Sequence, residues 1–161
     1  MTAEYAEIVV LPEELCEPAS KLIAEVISPL EYYSPSAREA EISKYTPDKL
    51  RELIRKDAKA VLIATIGPAL AGFCISTYDD GLIWLAWFGV AKSQRLKGLG
   101  SQLLNASIAL VSSRGCHKIW CDSRTSNLES RSVLLRAGFR EICLLENHWY
   151  GQDFWLWEKL V

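Results

Sequence analysis

Residues 94–101, Gln-Arg-Leu-Lys-Gly-Leu-Gly-Ser, form a basic turn with two glycines between segments of different hydrophobic periodicity. The preceding segment, Leu82–Val90, has the length and the aromatic and β-branched content of a buried strand. The following segment, Leu99–Ser113, repeats apolar residues at helical spacing. Glycine lets the backbone approach a ligand closely, and the first amides of a helix have no partners within it. The turn therefore predicts a phosphate-binding site at the start of a helix.

The spacing of Gly98 and Gly100 excludes two common nucleotide-binding motifs. The dinucleotide fingerprint requires a third glycine where this chain has Leu103, and a P-loop requires Gly-Lys-Ser or Gly-Lys-Thr at its end. A nucleotide- or phosphate-binding domain of another fold stays open on these residues alone.

Two motifs resemble those of the GNAT-type N-acetyltransferase superfamily. Arg95-x-x-Gly98-x-Gly100, after Phe88-Gly89-Val90, resembles its acyl-CoA signature. The segment from Ser126-Asn127 to Gly138-Phe139 is similar to the family's later helix, which begins near an asparagine and ends in Gly-Phe. Both motifs occur in the family's order and at its usual separation, and the resemblance extends from about Ile8 to the C-terminus.

The resemblance implies an α/β protein with the GNAT acyl-CoA N-acyltransferase fold, a mixed central sheet with splayed middle strands and flanking helices. It implies transfer of an acetyl group from the cosubstrate acetyl-CoA to a primary amine by direct attack in a ternary complex. The acceptor is expected to be a small-molecule or peptide amine. The resemblance places acetyl-CoA on Phe88, Gly89, Val90, Arg95, Leu96, Lys97, Gly98, Leu99, Gly100, Ser101 and Asn127.

Two catalytic side chains found in many members of the family are missing. The resemblance would put a carboxylate on the Leu82–Val90 strand as general base, but the strand has none. It would also put a tyrosine at the position of Leu134. A catalytically weak acyl-CoA-binding module of the same fold is therefore the second hypothesis.

The catalytic groups must then come from elsewhere, or positioning and a backbone amide near Val90 must supply most of the catalysis. The candidate catalytic residues are His148, Tyr150 and Asp122, because a histidine can relay a proton near neutral pH and a strand-end carboxylate can act as a base. Tyr33 is the alternative to Tyr150 as the acid beside the leaving thiolate. Further candidate bases are Asp79, Asp80 and Glu146.

Composition limits the class of protein. The length of 161 residues is that of one domain, predicted over 1–161, and 18 basic against 20 acidic residues argue against nucleic acid or an anionic membrane as partner. The N-terminus lacks the charged and then apolar pattern of a signal peptide, and the longest apolar segment is too short to span a bilayer. Five scattered cysteines are typical of reduced thiols in a cytoplasmic protein, and their spacing with His117 does not predict a metal site. The sequence is compatible with a homodimer.

The pattern along the chain predicts the order β-α-α-β-β-β-α-β-α-β-β, in which the second helical region is two short pieces. Ser34-Pro35 and Thr46-Pro47 each predict an N-cap followed by proline at the first helical position. Pro12 is expected in the first turn of a helix over 12–26, and Ser126-x-x-Glu129 is expected as a capping box. Most of seven large aromatic residues are expected in the core, and the alternative left open is that some of them line an acceptor pocket: Trp84, Trp87, Trp149, Trp155, Trp157, Tyr32 and Tyr33. Strands are predicted at 6–11, 60–66, 69–78, 82–90, 118–122, 140–145 and 154–160.

Overall fold

The computed structural model describes residues 6–95 and 97–161, which form seven strands and five α-helices. Strands β4, β6 and β7 and helix α4 have the bounds that the sequence predicted. Within the described residues, none of the helices combines the length and the apolar content that crossing a bilayer requires. In chain order the elements are β1 (Glu7–Val10), α1 (Cys16–Ile27), α2 (Pro35–Ser43), α3 (Pro47–Lys56), β2 (Val61–Ile66), β3 (Ala69–Asp79), β4 (Leu82–Val90), α4 (Leu99–Ser113), β5 (Lys118–Arg124), α5 (Leu128–Arg136), β6 (Arg140–Leu145) and β7 (Phe154–Leu160).

Helix α1 begins later than predicted. Pro12 precedes a short 3-10 turn at Glu13–Leu15, and the α-helix begins only at Cys16. The prediction of a helix starting at Pro12 is wrong because of a second proline, Pro18. In the observed helix Pro18 lies in the first turn, where its missing N–H removes no intrahelical bond. An α-helix begun at Pro12 would put Pro18 in the second turn, where its ring clashes with the carbonyl group four residues earlier.

The seven strands form one mixed sheet in the order β1-β2-β3-β4-β5-β7-β6. Neighbouring strands are antiparallel except β4 and β5, which are parallel. On one face, Ile23 of α1 and Leu50 of α3 belong to the same buried cluster as Phe73 of β3. On the other face, Leu103 of α4 and Leu134 of α5 belong to the cluster of the opposite side chains of the sheet. The predicted mixed sheet with flanking helices is confirmed.

Strands β4 and β5 separate soon after they meet. Their pairing runs only from Leu82–Lys118 to Trp84–Trp120, and beyond it the described residues show no pairing between the two strands. A β-bulge at Ala86, between the pairs that Leu85 and Trp87 make with β3, increases the local twist of β4. The predicted splayed middle strands are therefore present, and one edge of β4 is open from the bulge to its C-terminal end.

Helix α5 is capped by Asn127. Its Oδ1 accepts a hydrogen bond of 3.1 Å from the backbone N–H of Ser130, and the helix begins at Leu128. The predicted capping box from Ser126 to Glu129 is wrong by one residue. Serine and asparagine cap helices about equally well, so the pair Ser126-Asn127 did not fix which of the two would do so.

We expect Asn127→Ala to lower the free energy of unfolding by about 1 kcal/mol, because one amide at the start of α5 loses its acceptor. The exposed neighbour provides a matched control, since Ser126→Ala should change the free energy of unfolding by less than about 0.5 kcal/mol. Urea unfolding of the two variants measures the difference. A decrease in the free energy of unfolding that occurs only in Ser126→Ala would instead support the predicted capping box.

Candidate active site

A cleft of about 1080 Å³ opens where β4 and β5 separate. It is lined by the ends of both strands, the first turns of α4 and α5, and two loops. The loop between α1 and α2 contributes Tyr32 and Tyr33, and the loop between β6 and β7 contributes Trp149 and Tyr150. Segments that are far apart in the chain thus meet at the gap in the sheet.

The first turn of α4 presents free backbone N–H groups to this cleft. Gly98 is the N-cap residue and provides no side-chain cap, and the N–H of Gln102 makes a helical bond to the carbonyl oxygen of Gly98. The amides of Leu99, Gly100 and Ser101 precede that bond and have no partner within the helix. These three donors, at the positive end of the helix dipole, have the arrangement on which the prediction of an anion site rests.

Three positions around the cleft are occupied by glycine for different structural reasons. Gly98 has φ +77°, a left-handed conformation that favours glycine. A Cβ added at Gly89 would lie 2.7 Å from Cζ of Phe73, so packing against β3 requires glycine there. A Cβ added at Gly100 meets nothing closer than Cγ2 of Val90 at 3.8 Å, an ordinary contact. Internal packing therefore does not explain Gly100, whereas close approach of a ligand would.

The structure brings most of the predicted acetyl-CoA residues to the cleft. Arg95 also donates a hydrogen bond of 3.4 Å from Nε to the carbonyl oxygen of Val90. Lys97 does not line the cleft, and its Nζ donates to Oε1 of Gln94 at 3.1 Å. Leu96 lies outside the described residues. The predicted residues that line the cleft are Phe88, Gly89, Val90, Arg95, Gly98, Leu99, Gly100, Ser101 and Asn127.

Val90 turns its backbone polar groups toward the gap. The N–H of Ala91 donates to the carbonyl oxygen of Ala71 on β3 at 2.8 Å. Hydrogen-bonded and non-hydrogen-bonded residues alternate along an antiparallel pair, so the N–H and C=O of Val90 point away from β3. The carbonyl accepts from Arg95, and the N–H faces the open edge, where it can donate to an oxygen atom in the cleft.

Asp122 lies on β5, two residues beyond the last pair with β4, and lines the cleft. Its Oδ2 accepts a hydrogen bond of 2.6 Å from Nε1 of Trp149. Burial raises the pKa of Asp122 above its usual range, although the Trp149 bond and the nearby His148 partly oppose this. Asp122 is consequently a stronger base than an exposed aspartate.

His148 itself is exposed and does not line the cleft. Its ring packs edge-on against Trp149, with 4.5 Å between the ring centroids. His148 can therefore affect Asp122 in two ways, through its own charge and through its contact with Trp149, which donates the hydrogen bond to Asp122. Of the other candidate bases, Asp79, Asp80 and Glu146 do not line the cleft of the described structure.

Glu41 on α2 is a buried carboxylate that the sequence did not single out. It is 8 % exposed and accepts hydrogen bonds from the Tyr150 hydroxyl at 2.7 Å, from Nε1 of Trp87 at 3.1 Å and from Nζ of Lys44 at 2.6 Å. Burial opposes ionisation of Glu41, but these bonds outweigh it and lower its pKa. The one signal in the sequence is that Glu41 follows the buried Ala37 by four residues, on the inner side of a helix.

Tyr150 is held by this carboxylate. Burial and then the bond to Glu41 raise the pKa of Tyr150 to about 12. Tyr33, the alternative acid, is buried next to it, with 5.8 Å between the two ring centroids, and burial raises its pKa as well. Both phenols therefore stay protonated near neutral pH.

Of the seven large aromatic residues considered above, only Trp157 and Tyr33 are buried. Five of the seven line the cleft: Trp84, Trp87, Trp149, Tyr32 and Tyr33. Most of the seven are therefore not fully buried. Tryptophan side chains are drawn away from the core because an indole N–H needs a hydrogen-bond acceptor, and several of the acceptors lie at the cleft or near the surface. Trp87, Trp120, Trp149 and Trp157 donate to Glu41, Glu158, Asp122 and Ser123, respectively.

Comparison with known families gives one match over most of the chain. A sequence model described as the Acetyltransferase (GNAT) family matches residues 27–139. The matched segment contains β4, α4, β5 and α5, which are the elements that surround the cleft. No curated protein sequence matches the chain significantly.

Solved structures share the fold at low sequence identity. An acetyltransferase of the GNAT family from Streptococcus pneumoniae has a TM-score of 0.84 at 18% identity, covering 98% of this chain and 99% of that chain. The PaiA N-acetyltransferase of Thermoplasma acidophilum, in complex with coenzyme A, has a TM-score of 0.82 at 21% identity, covering 98% and 99%. The ribosomal-protein-S18-alanine N-acetyltransferase of Escherichia coli has a TM-score of 0.74 at 17% identity, covering 98% and 94%.

Proposed function

The chain belongs to the GNAT acetyltransferase family, and we propose that it transfers an acetyl group from acetyl-CoA to a primary amine by direct attack in a ternary complex. The observation that carries the proposal is the meeting of two features in one cleft, the open edge of β4 and the uncapped start of α4. The open edge offers backbone groups to an extended chain, and the helix start offers N–H groups to an anion. Acetyl-CoA has both parts, a pantetheine arm and a pyrophosphate.

We assign the pyrophosphate to the amides of Leu99, Gly100 and Ser101, with positive charge from Arg95. The pantetheine arm extends along the open edge of β4 near Val90, where a paired strand would lie in a closed sheet. The PaiA N-acetyltransferase was solved with coenzyme A, and the shared fold supports the same class of ligand here.

In the proposed reaction the neutral amine attacks the carbonyl carbon of the thioester, and the C–S bond breaks after the C–N bond forms. The oxygen of the tetrahedral intermediate accepts a hydrogen bond from the N–H of Val90. The nitrogen gives its proton to Asp122, and coenzyme A leaves as the thiolate. Holding both reactants in one complex contributes on the order of 7–11 kcal/mol in favourable cases, so modest acid–base assistance suffices.

Tyr150 assists the leaving group as a hydrogen-bond donor in this proposal. Its pKa of about 12 lies above that of a thiol, which is about 8.5, so complete proton transfer to the thiolate is unfavourable. Its one hydroxyl proton is accepted by Glu41, so donation to the thiolate requires that bond to open. Glu41 is accordingly a positioning residue.

We also assign the protein to the cytoplasm. All five cysteines are free thiols, and four of them are buried. Unpaired thiols in this number are typical of a reducing compartment.

The second candidate function is acyl-CoA binding with little turnover. Leu134 is 1 % exposed and part of the core, so the position at which many family members have a tyrosine supplies no acid. β4 likewise has no carboxylate, and catalysis depends wholly on the groups described above. Measured turnover distinguishes this module from the enzyme.

We expect acetyl-CoA to raise the melting temperature, because a ligand bound only by the folded state adds about 2.7 kcal/mol at a hundredfold excess over Kd. We also expect at least one amine of a panel to make the protein release coenzyme A faster than acetyl-CoA is hydrolysed without an amine. Binding without release would support the weak module. Equal shifts with ATP and acetyl-CoA would support a general phosphate site, and no shift with either would contradict both functions.

A further inference from the structure

Arg124, at the C-terminal end of β5, places in the cleft a guanidinium group of which two nitrogens have no hydrogen-bond acceptor among the described residues. Its Cζ lies 4.3 Å from the centre of the Tyr32 ring and 5.4 Å from that of Tyr33. Atoms Nε and Nη1 are buried, and no described residue accepts a hydrogen bond from either. The three carboxylates in the same lining, Glu41, Asp122 and Glu129, form no ion pair with it in the described structure.

Two buried guanidinium nitrogens in this state are unusual, because the guanidinium keeps its charge and buried N–H donors are almost always paired. The aromatic rings stabilise the positive charge through their faces, but they do not replace acceptors for N–H groups that lie in the guanidinium plane. An acceptor from outside the chain would complete the site. Nη2 together with either Nε or Nη1 forms a fork of parallel N–H groups, and this fork matches a carboxylate, which can accept two parallel bonds.

Arg124 lies on the same strand as Asp122 and two residues further on, so both side chains leave β5 on the same face, about 6–7 Å apart. Both residues line the cleft. A carboxylate that receives the proton of the amine and a guanidinium that binds an anion therefore stand side by side. An acceptor with an amine and an anionic group a few bonds apart fits this spacing.

We propose that the acceptor amine carries a carboxylate and that Arg124 binds this carboxylate while the amine faces Asp122. The inference rests on the proposed acetyltransferase function and adds the substrate class. The same guanidinium chemistry would also accept a phosphate of coenzyme A. The three free amides of α4 already provide donors for a phosphate, so we assign the Arg124 site to the carboxylate of the acceptor and not to coenzyme A.

The test compares matched acceptors that differ only in charge: an α-amino acid with its carboxamide, and a short peptide beginning in Asp with the same peptide beginning in Asn. In at least one of the two pairs, we expect the ratio of kcat/KM for the acceptor with the carboxylate to kcat/KM for its carboxamide counterpart to be at least ten. Arg124→Met should reduce that ratio to near one while leaving the KM for acetyl-CoA unchanged. Arg124→Lys, which keeps the charge but loses the fork, should restore part of the preference.

Two further measurements separate the outcomes. Arg55→Met removes an exposed arginine that pairs with Glu13, and this control should keep the preference. Titration of the coenzyme A complex with the acetylated form of each compound, followed by tryptophan fluorescence, reports the preference even where turnover is too slow to measure. Melting curves establish that each variant is folded.

Equal kcat/KM and equal affinity within both pairs would overturn the inference while leaving the acetyltransferase function intact. A preference for the carboxamides would also overturn it. An effect of Arg124→Met on the KM for acetyl-CoA alone would assign the guanidinium to the cosubstrate. If no amine is acetylated and acetyl-CoA does not bind, the proposed function itself fails.

Discussion

Replacing Gly100 with valine is expected to raise the KM for acetyl-CoA by about 100-fold, equal to about 2.7 kcal/mol of binding. The side chain would project from the first turn of α4, between its free amides and the pyrophosphate. The protein itself has room for it, since the nearest atom to an added Cβ is 3.8 Å away. The free energy of unfolding should therefore change by less than about 1 kcal/mol. Initial rates at varied acetyl-CoA and urea unfolding measure the two effects separately.

Gly98 offers the matched comparison two residues earlier. Nothing lies within 4 Å of a Cβ added there, but its φ of +77° is unfavourable for other residues. Gly98→Ala should therefore lower the free energy of unfolding by about 1–2 kcal/mol and affect KM less than Gly100→Val does. An unchanged KM in a folded Gly100→Val protein would show that the pyrophosphate binds elsewhere.

The parts of the fold that were predicted well are those with strong local signals. β4 is a continuous run of apolar residues between a turn at Asp80-Gly81 and the glycine-containing segment, and α4 has a clear helical period, so both were located to the residue. The start of α1 was missed because two prolines compete for the first turn, and the cap of α5 because Ser126 and Asn127 are nearly equivalent caps.

The site was predicted only where it is local in sequence. The turn at 94–101 carries its glycines and basic residues in one segment, and most of this segment lines the cleft, but its role as a phosphate site stays a prediction. The contact between Glu41 and Tyr150 joins residues 109 positions apart, and no local pattern encodes it. Arg124 was missed for the same reason: its exceptional feature is the absence of described acceptors around two buried N–H groups, which depends on how two loops pack over the strand.

Replacing Asp122 with asparagine is expected to lower kcat by about 100-fold, within the range that a general base supplies, without changing the KM for acetyl-CoA. The variant should be at least as stable as the wild type at pH 7. Burial raises the pKa of Asp122 in the folded protein, so its ionised form is disfavoured by folding. A neutral asparagine still accepts the bond from Trp149 and avoids this cost. The difference in unfolding free energy should vanish as the pH falls below the ordinary value of 3.8.

The pH dependence of kcat gives the independent test, because a general base acts only when it is deprotonated. In the wild type kcat should fall as the pH drops through the raised pKa of Asp122, and this limb should be absent in Asp122→Asn. Trp149→Phe removes the bond that lowers this pKa, so the same limb should move to higher pH. Because positioning and the Val90 amide persist in both variants, some turnover should remain. A kcat of Asp122→Asn equal to that of the wild type, with the limb unchanged, would show that another group removes the proton.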